Sequence, residues 1–279
     1  MLRARVITAL ALLAGFLVAL FLLPFAGWMA FVAAVALLAS WEWGALVGLG
    51  LPARAGYAAA ATALCAVLGF LLFDPALGER IAPAGLGAAY IVAAGFWLLA
   101  VPAWLRAGWR VPGGAAGALV GVIVLVPACL ALLHLRAVAP LLLLAAMAAV
   151  WVADIAAFFT GRAFGRRKLA PSISPGKTWE GAGGALAGVL AFGFLAAAAA
   201  GGLAGRTAGA QALFALALVV LTAVSIVGDL FESMVKRAAG VKDSGSLLPG
   251  HGGVLDRIDS LTAALPLVGL VVLLLEGHA

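Results

Sequence analysis

Charge is what this 279-residue chain has least of: Asp, Glu, Lys and Arg make up 10% of it, and 66% is hydrophobic. A soluble domain is nearer a quarter charged and half apolar. The shortage argues against a soluble fold, which could not hide so much apolar surface, and makes the bilayer the expected solvent. Cysteine is nearly absent as well. Cys65 and Cys129 both fall inside apolar runs, and no CxxC or Cys/His cluster occurs. That argues against a disulfide framework or a thiolate zinc site and leaves both as packing residues. Internal repeats, low-complexity linkers and a soluble domain are also missing. Glycine is plentiful at 36 residues, which suits closely packed transmembrane helices.

A membrane span needs about 20 mostly apolar residues. Nine segments qualify: 6–23, 25–47, 55–73, 86–105, 114–133, 138–160, 181–200, 208–228 and 261–276. Prolines 24, 52, 75 and 112 lie between them and Pro140 at the start of the sixth, as helix punctuation should. The expected fold is all-α, a polytopic transmembrane helix bundle of about nine spans with cytosolic polar loops. Residues 1–137 carry spans one to five. Residues 138–279 carry spans six to nine and the loops with chemistry.

The bias of Lys and Arg in short loops orients the chain. With the N-terminus inside, Arg3, Arg5, Arg54, Arg106, Arg110, Arg162, Arg166, Arg167, Lys168, Lys177, Lys236, Arg237, Lys242 and Arg257 are inner, and only Arg80, Arg136 and Arg206 are outer. The net charge of +6 is therefore topological, and no nucleic-acid partner is expected. The first run could be read as a signal peptide, but it lacks a good small-x-small cleavage site, and an uncleaved helix is the preferred reading.

Ionisable residues inside a membrane mark function by default. Glu42 lies near the inner end of the second span, Asp154 within the sixth, Asp229 at the end of the eighth, and Asp256 and Asp259 before the ninth. Asp229, Glu232, Ser233 and Lys236 follow i, i+3, i+4, i+7 and share a helix face. Carboxylates so gathered repel unless a cation joins them or one is protonated. Hard oxygen ligands beside phosphate-binding bases suggest Mg²⁺. Capping is the competing reading for Asp256 or Asp259 but not for Asp229, because a carboxylate is unfavourable at a helix C-terminus.

Between these acids run Lys242-Asp243-Ser244-Gly245 and Pro249-Gly250-His251-Gly252-Gly253. Glycines such as Gly252 and Gly253 let backbone N–H groups approach an anion. Lys236, Arg237, Lys242 and Arg257 frame the loop. His251 could donate to a phosphate or order the loop. A second inner loop reads Ser174-Pro175-Gly176-Lys177-Thr178-Trp179-Glu180-Gly181. It is not a P-loop, because Pro171 stands where the first Gly is required. Lys177 is nevertheless expected to reach a phosphate. Arg166, Arg167 and Lys168 either do the same or enforce topology.

The run Ser233-x-x-Lys236-Arg237, Lys242-Asp243-x-Gly245, Pro249-x-His251-Gly252-Gly253, Asp256-Arg257-x-Asp259 resembles the signature of the phosphatidate cytidylyltransferase (CDP-diacylglycerol synthase) family. The Ser174 loop and the segment with Asp154, Gly161, Arg162, Phe164 and Gly165 also resemble it. The resemblance implies transfer of a cytidylyl group from CTP to phosphatidate, Mg²⁺ with a K⁺ ion beside it, and a homodimer in the bacterial inner membrane. It places metal at Asp229 and Asp256, with Asp259 next and Asp154 a contributor. Lys236, Lys242 and His251 are then expected at the reaction. Ser174, Lys177, Thr178, Ser233, Arg237, Gly252, Gly253 and Arg257 are expected at the substrates. One departure is Phe158, where a tyrosine is expected. A CTP-dependent polyprenol kinase, a related CDP-lipid synthase and a secondary transporter are the alternatives.

Overall fold

Long apolar runs broken by prolines and glycines fold as helices because a chain in lipid must satisfy its own backbone. The computed structural model describes residues 2–73, 78–202, 204–248, 250 and 252–277, without the side chains of 2–6, 79 and 80. The helices are α1 (Leu2–Leu22), α2 (Phe25–Leu46), α3 (Leu51–Phe73), α4 (Gly78–Gly95), α5 (Val101–Ala107), α6 (Gly114–Val138), α7 (Pro140–Phe164), α8 (Trp179–Ala199), α9 (Ala208–Ala238) and α10 (Leu255–Glu276). A π-helical turn, Phe96–Ala100, joins α4 to α5, so the two cross as one rod over Ile81–Ala107. Among the described residues, eight helices are long and apolar enough to span a membrane. The described side chains of α1 form a shorter apolar run, Ile7–Leu22. Large apolar side chains such as Leu22, Leu99 and Leu195 are exposed, as a lipid-facing surface requires.

Three features depart from the sequence reading. First, residues 168–178 are not a plain loop. β1 (Lys168–Ala170) and β2 (Ser174–Thr178) pair antiparallel, Lys168 opposite Thr178 and Ala170 opposite Ser174. Second, α9 does not end at Gly228. It runs ten residues further, to Ala238. At 1.5 Å per residue its 31 residues span about 46 Å, well beyond a hydrocarbon core of about 30 Å. Third, α10 starts at Leu255, so Asp256 and Asp259 lie in its first two turns.

Aromatic packing fixes the polar end of α9. The Phe231 ring is edge-on to Phe96, Trp97 and Trp104, with centroids 5.5, 5.6 and 5.8 Å away, and stacks near Trp43 at 6.4 Å. Trp43 also donates its indole N–H to the Gly117 carbonyl at 2.9 Å. A bare Gly121 is needed beside that ring, since a Cβ there would collide with it. α10 packs on α4, α6 and α9, so the N-terminal helices help to position the C-terminal ones.

Candidate active site

The helical face read from spacing is present on α9. Asp229 sits mid-helix, more than two turns before the end, rather than at a C-terminus. Its Oδ1 accepts the Ser233 hydroxyl at 3.2 Å, and its Oδ2 pairs with Lys177 Nζ at 2.6 Å. Lys177 arrives on β2, whose short pairing with β1 projects it toward α9. About two turns beyond Asp229, Lys236 Nζ lies 2.9 Å from Glu232 Oε2 and 2.6 Å from Asp256 Oδ1. Lys236, Glu232 and the Asp256 side chain are largely buried. Such a cation stays charged because two carboxylates surround it.

Asp256 is the centre of the loop. Its Oδ2 accepts the Ser244 N–H (2.8 Å), the Ser244 hydroxyl (3.0 Å) and the Gly253 N–H (2.8 Å). This close wrapping explains two glycines. Gly252 has φ +79, and a Cβ on it would come within 2.6 Å of Asp256 Oδ2. A Cβ on Gly253 would collide with Ser244 Oγ and with Glu42. Glu42 completes the arrangement from α2. Its carboxylate accepts the Ser244 hydroxyl at 2.9 Å, the Val254 N–H at 3.0 Å and the Leu255 N–H at 2.8 Å.

Two adjoining cavities open at this end of the bundle. One, of about 360 Å³, is walled by Asp154, Asp229, Ser233, Lys236, Arg237, Lys242, Asp243, Asp256, Arg257 and Asp259. The other, of about 570 Å³, is walled by the loop, including Lys242, Asp243, Gly252 and Arg257. Alternating carboxylates and bases suit a polyanion that arrives with a cation. Among the described residues, no three acid, His or Cys side chains stand close enough to hold a metal alone. Mg²⁺ does not need three, since it usually takes one or two carboxylates and fills its shell with water and substrate phosphates. The donor set of Asp154, Asp229, Asp256 and Asp259 on one cavity fits that habit. Hydrogen-bonded carboxylates such as Asp256 are the usual form of such ligands. Asp154 is on the cavity edge, and Phe158, one turn further along α7, is 58% exposed. The rim of the cavity thus continues into the apolar outer face of α7.

The structure brings Asp154, Asp229, Ser233, Lys236, Arg237, Lys242, Asp256, Arg257 and Asp259 to one cavity, with Lys177 bonded to it through Asp229. It gives three expected residues other work. Thr178 is buried, and its hydroxyl caps α8 by accepting the Gly181 N–H at 3.1 Å. Ser174 opens β2 opposite Ala170 and is not on the wall of either cavity. The Gly253 N–H is spent on Asp256 rather than offered to an anion. His251 and Pro249 lie outside the described residues. Glu180 binds the backbone N–H groups of Arg166 and Arg167 at 3.0 and 3.2 Å, locking the start of the hairpin to α8. Sequence reasoning noted Glu42 as an intramembrane acid but did not assign it to the site, because its partners lie about 200 residues away.

Comparison with known proteins gives this chain relatives along nearly its whole length. The model of the cytidylyltransferase family matches residues 3–275. A protein of Pseudomonas aeruginosa named phosphatidate cytidylyltransferase is 45% identical over 278 residues, covering 95% of each chain. One of the same name from Haemophilus influenzae is 55% identical over 127 residues, 45% of this chain and 43% of its own. Another from Thermotoga maritima is 40% identical over 131 residues, 47% of this chain and 48% of its own.

Proposed function

Because the chain belongs to the cytidylyltransferase family, we infer that it is a phosphatidate cytidylyltransferase, giving CDP-diacylglycerol and pyrophosphate from CTP and phosphatidate. The observation that carries the reading is the cavity at the polar end of a membrane bundle, walled by carboxylates and bases and rimmed by an apolar helix face. That combination accepts a charged head group and a nucleotide while acyl chains stay in lipid.

In the reaction a phosphatidate oxygen attacks the α-phosphorus of CTP and the bond to the β-phosphate breaks. The attacking oxygen is already ionised near neutral pH, so no strong general base is required. The barrier is repulsion between two polyanions, and fixed positive charge lowers it. Lys236 is held in place by Glu232 and Asp256, which keeps its ammonium aimed at the cavity. Lys177, Arg237, Lys242 and Arg257 supply further charge for the departing pyrophosphate or the lipid phosphate. Asp229, Asp256, Asp259 and Asp154 would hold Mg²⁺, with K⁺ as a second ion. When bound, the metal neutralises phosphate charge and polarises the reacting phosphoryl group. The distribution of Lys and Arg supports an inner-face site with a cytosolic N-terminus, in a bacterial inner membrane, and we propose a homodimer.

Labelled CTP tests the reading. Label in the α-phosphate is expected to enter the lipid only when phosphatidate and Mg²⁺ are present, with stoichiometric release of pyrophosphate. Transfer of γ-label to the lipid would replace this reading with kinase action. Solute movement across liposomes without pyrophosphate formation would replace it with transport.

A further inference from the structure

We propose that Glu42 is a positioning residue for the cytidylyl transfer, acting from α2 as a latch that sets the loop and the start of α10 around Asp256. The proposal rests on the function inferred above for the catalytic assignment, and on geometry alone for the latch.

Four observations carry it. The α10 helix has no side-chain cap of its own: Val254, at its N-cap, offers no oxygen. The first N–H groups of a helix need acceptors, and Glu42 supplies them from another helix, taking Val254 N–H on Oε1 and Leu255 N–H on Oε2. Glu42 is 4% exposed, so its charge is placed against these donors rather than against water. It meets Asp256 through Ser244, whose single hydroxyl lies 2.9 Å from Glu42 Oε2 and 3.0 Å from Asp256 Oδ2. Finally, the loop is shaped to admit it, since a Cβ on Gly245 would come within 2.7 Å of Glu42 Oε1, and one on Gly253 would collide with Oε2.

These contacts form a continuous chain from Glu42 through Ser244 and Asp256 to Lys236 and Glu232. Glu42 is not on the wall of either cavity. It fixes the backbone of Val254 and Leu255 just before Asp256 and holds the Ser244 hydroxyl against it, and with them the direction of the carboxylate and of the Lys236 ammonium.

The test compares Glu42→Gln, Glu42→Asp, Ser244→Ala and the double variant Glu42→Gln/Ser244→Ala in the full-length protein in detergent. Gln keeps the shape but replaces one acceptor with an NH₂ group that faces backbone donors. Hydrogen exchange in Glu42→Gln is expected to speed up at the amides of Ser244, Gly253, Val254 and Leu255, while the bundle melts within a few degrees of the native protein. Turnover is expected to fall roughly 10- to 100-fold, as for partners that orient a site's ligands. The fall should lie in kcat, with KM for phosphatidate unchanged. The double variant should lose little more than Glu42→Gln alone. The latch is refuted if exchange at those four amides is unchanged, a result that does not depend on any activity. If exchange quickens but kcat stays within twofold of native, Glu42 is structural only and the positioning role is refuted. Absence of cytidylyl transfer in the native protein would instead overturn the inferred function and leave the latch to the exchange measurement.

Discussion

Removing the Lys236 ammonium separates what holds this site together from what it does. Lys236 is the cation between Glu232 and Asp256, at 2.9 and 2.6 Å. In Lys236→Met the apolar stem is nearly preserved and the charge is gone. Asp256 retains the backbone N–H groups of Ser244 and Gly253 and a share of the Ser244 hydroxyl, whose one hydrogen also faces Glu42. Glu232 does not: its Oε2 would lose the Lys236 ammonium, and its neighbour Asp259 is another acid that brings no positive charge. Breaking a buried pair by deleting one member costs about 3–5 kcal/mol, because the other charge is left uncompensated. By the scaling for domains of somewhat smaller size, that is a fall in melting temperature on the order of 10 °C. The double variant Lys236→Met/Glu232→Gln removes the stranded charge and should recover most of the loss. Neither variant should recover catalysis, with turnover at least roughly 100-fold down, in line with the loss of one charge-stabilising donor. Thermal unfolding in detergent, followed by tryptophan fluorescence, reads the first effect and labelled-CTP turnover the second. A single variant as stable as the native protein, or a double variant no more stable than the single, would refute the account of Lys236 as the bridging cation.

Three further outcomes are expected. Asp229→Asn and Asp256→Asn should each abolish turnover while leaving a membrane-inserted bundle, and retained activity in both would end the metal assignment. Gly253→Ala should cost about 1–3 kcal/mol by overpacking and slow turnover through the displaced loop, since its methyl would press on Glu42 and Ser244; unchanged melting and kcat would count against the tight wrapping. Thr178→Val should lose about 1 kcal/mol, the usual worth of a helix cap, with KM for CTP unaltered, and a large rise in KM would return Thr178 to the substrate.

The spans were legible because lipid imposes one crude rule, and about 20 apolar residues satisfy it. The same rule hid the last ten residues of α9. Hydropathy stops at Gly228, and only the spacing of Asp229, Glu232, Ser233 and Lys236 signalled that the helix goes on. The site's membership was legible for the same reason, since polar residues are conspicuous in such a chain. Their partners were not. Lys177 meets Asp229 and Glu42 meets Leu255 across 52 and 213 residues of sequence, and no local pattern encodes such pairings. The β1–β2 hairpin escaped because its strands are three and five residues long and one contains Pro175 and Gly176, a composition that reads as loop. The cap that Thr178 makes to the Gly181 N–H was not foreseen, because the resemblance of its loop pointed to the substrates alone.

The continuation of the cavity rim onto the exposed face of α7, from Asp154 to Phe158, bears on how the protein counts its substrate. A site entered sideways samples a surface, not a volume. For such a site, diluting phosphatidate with inert detergent or lipid at constant total amount slows the reaction. Adding water at constant surface composition leaves the lipid's contribution to the rate unchanged. CTP obeys ordinary bulk concentration. The two substrates of one bond-forming step are thus measured in different dimensions, and the boundary between them is the single helical turn that separates a carboxylate from a phenyl ring.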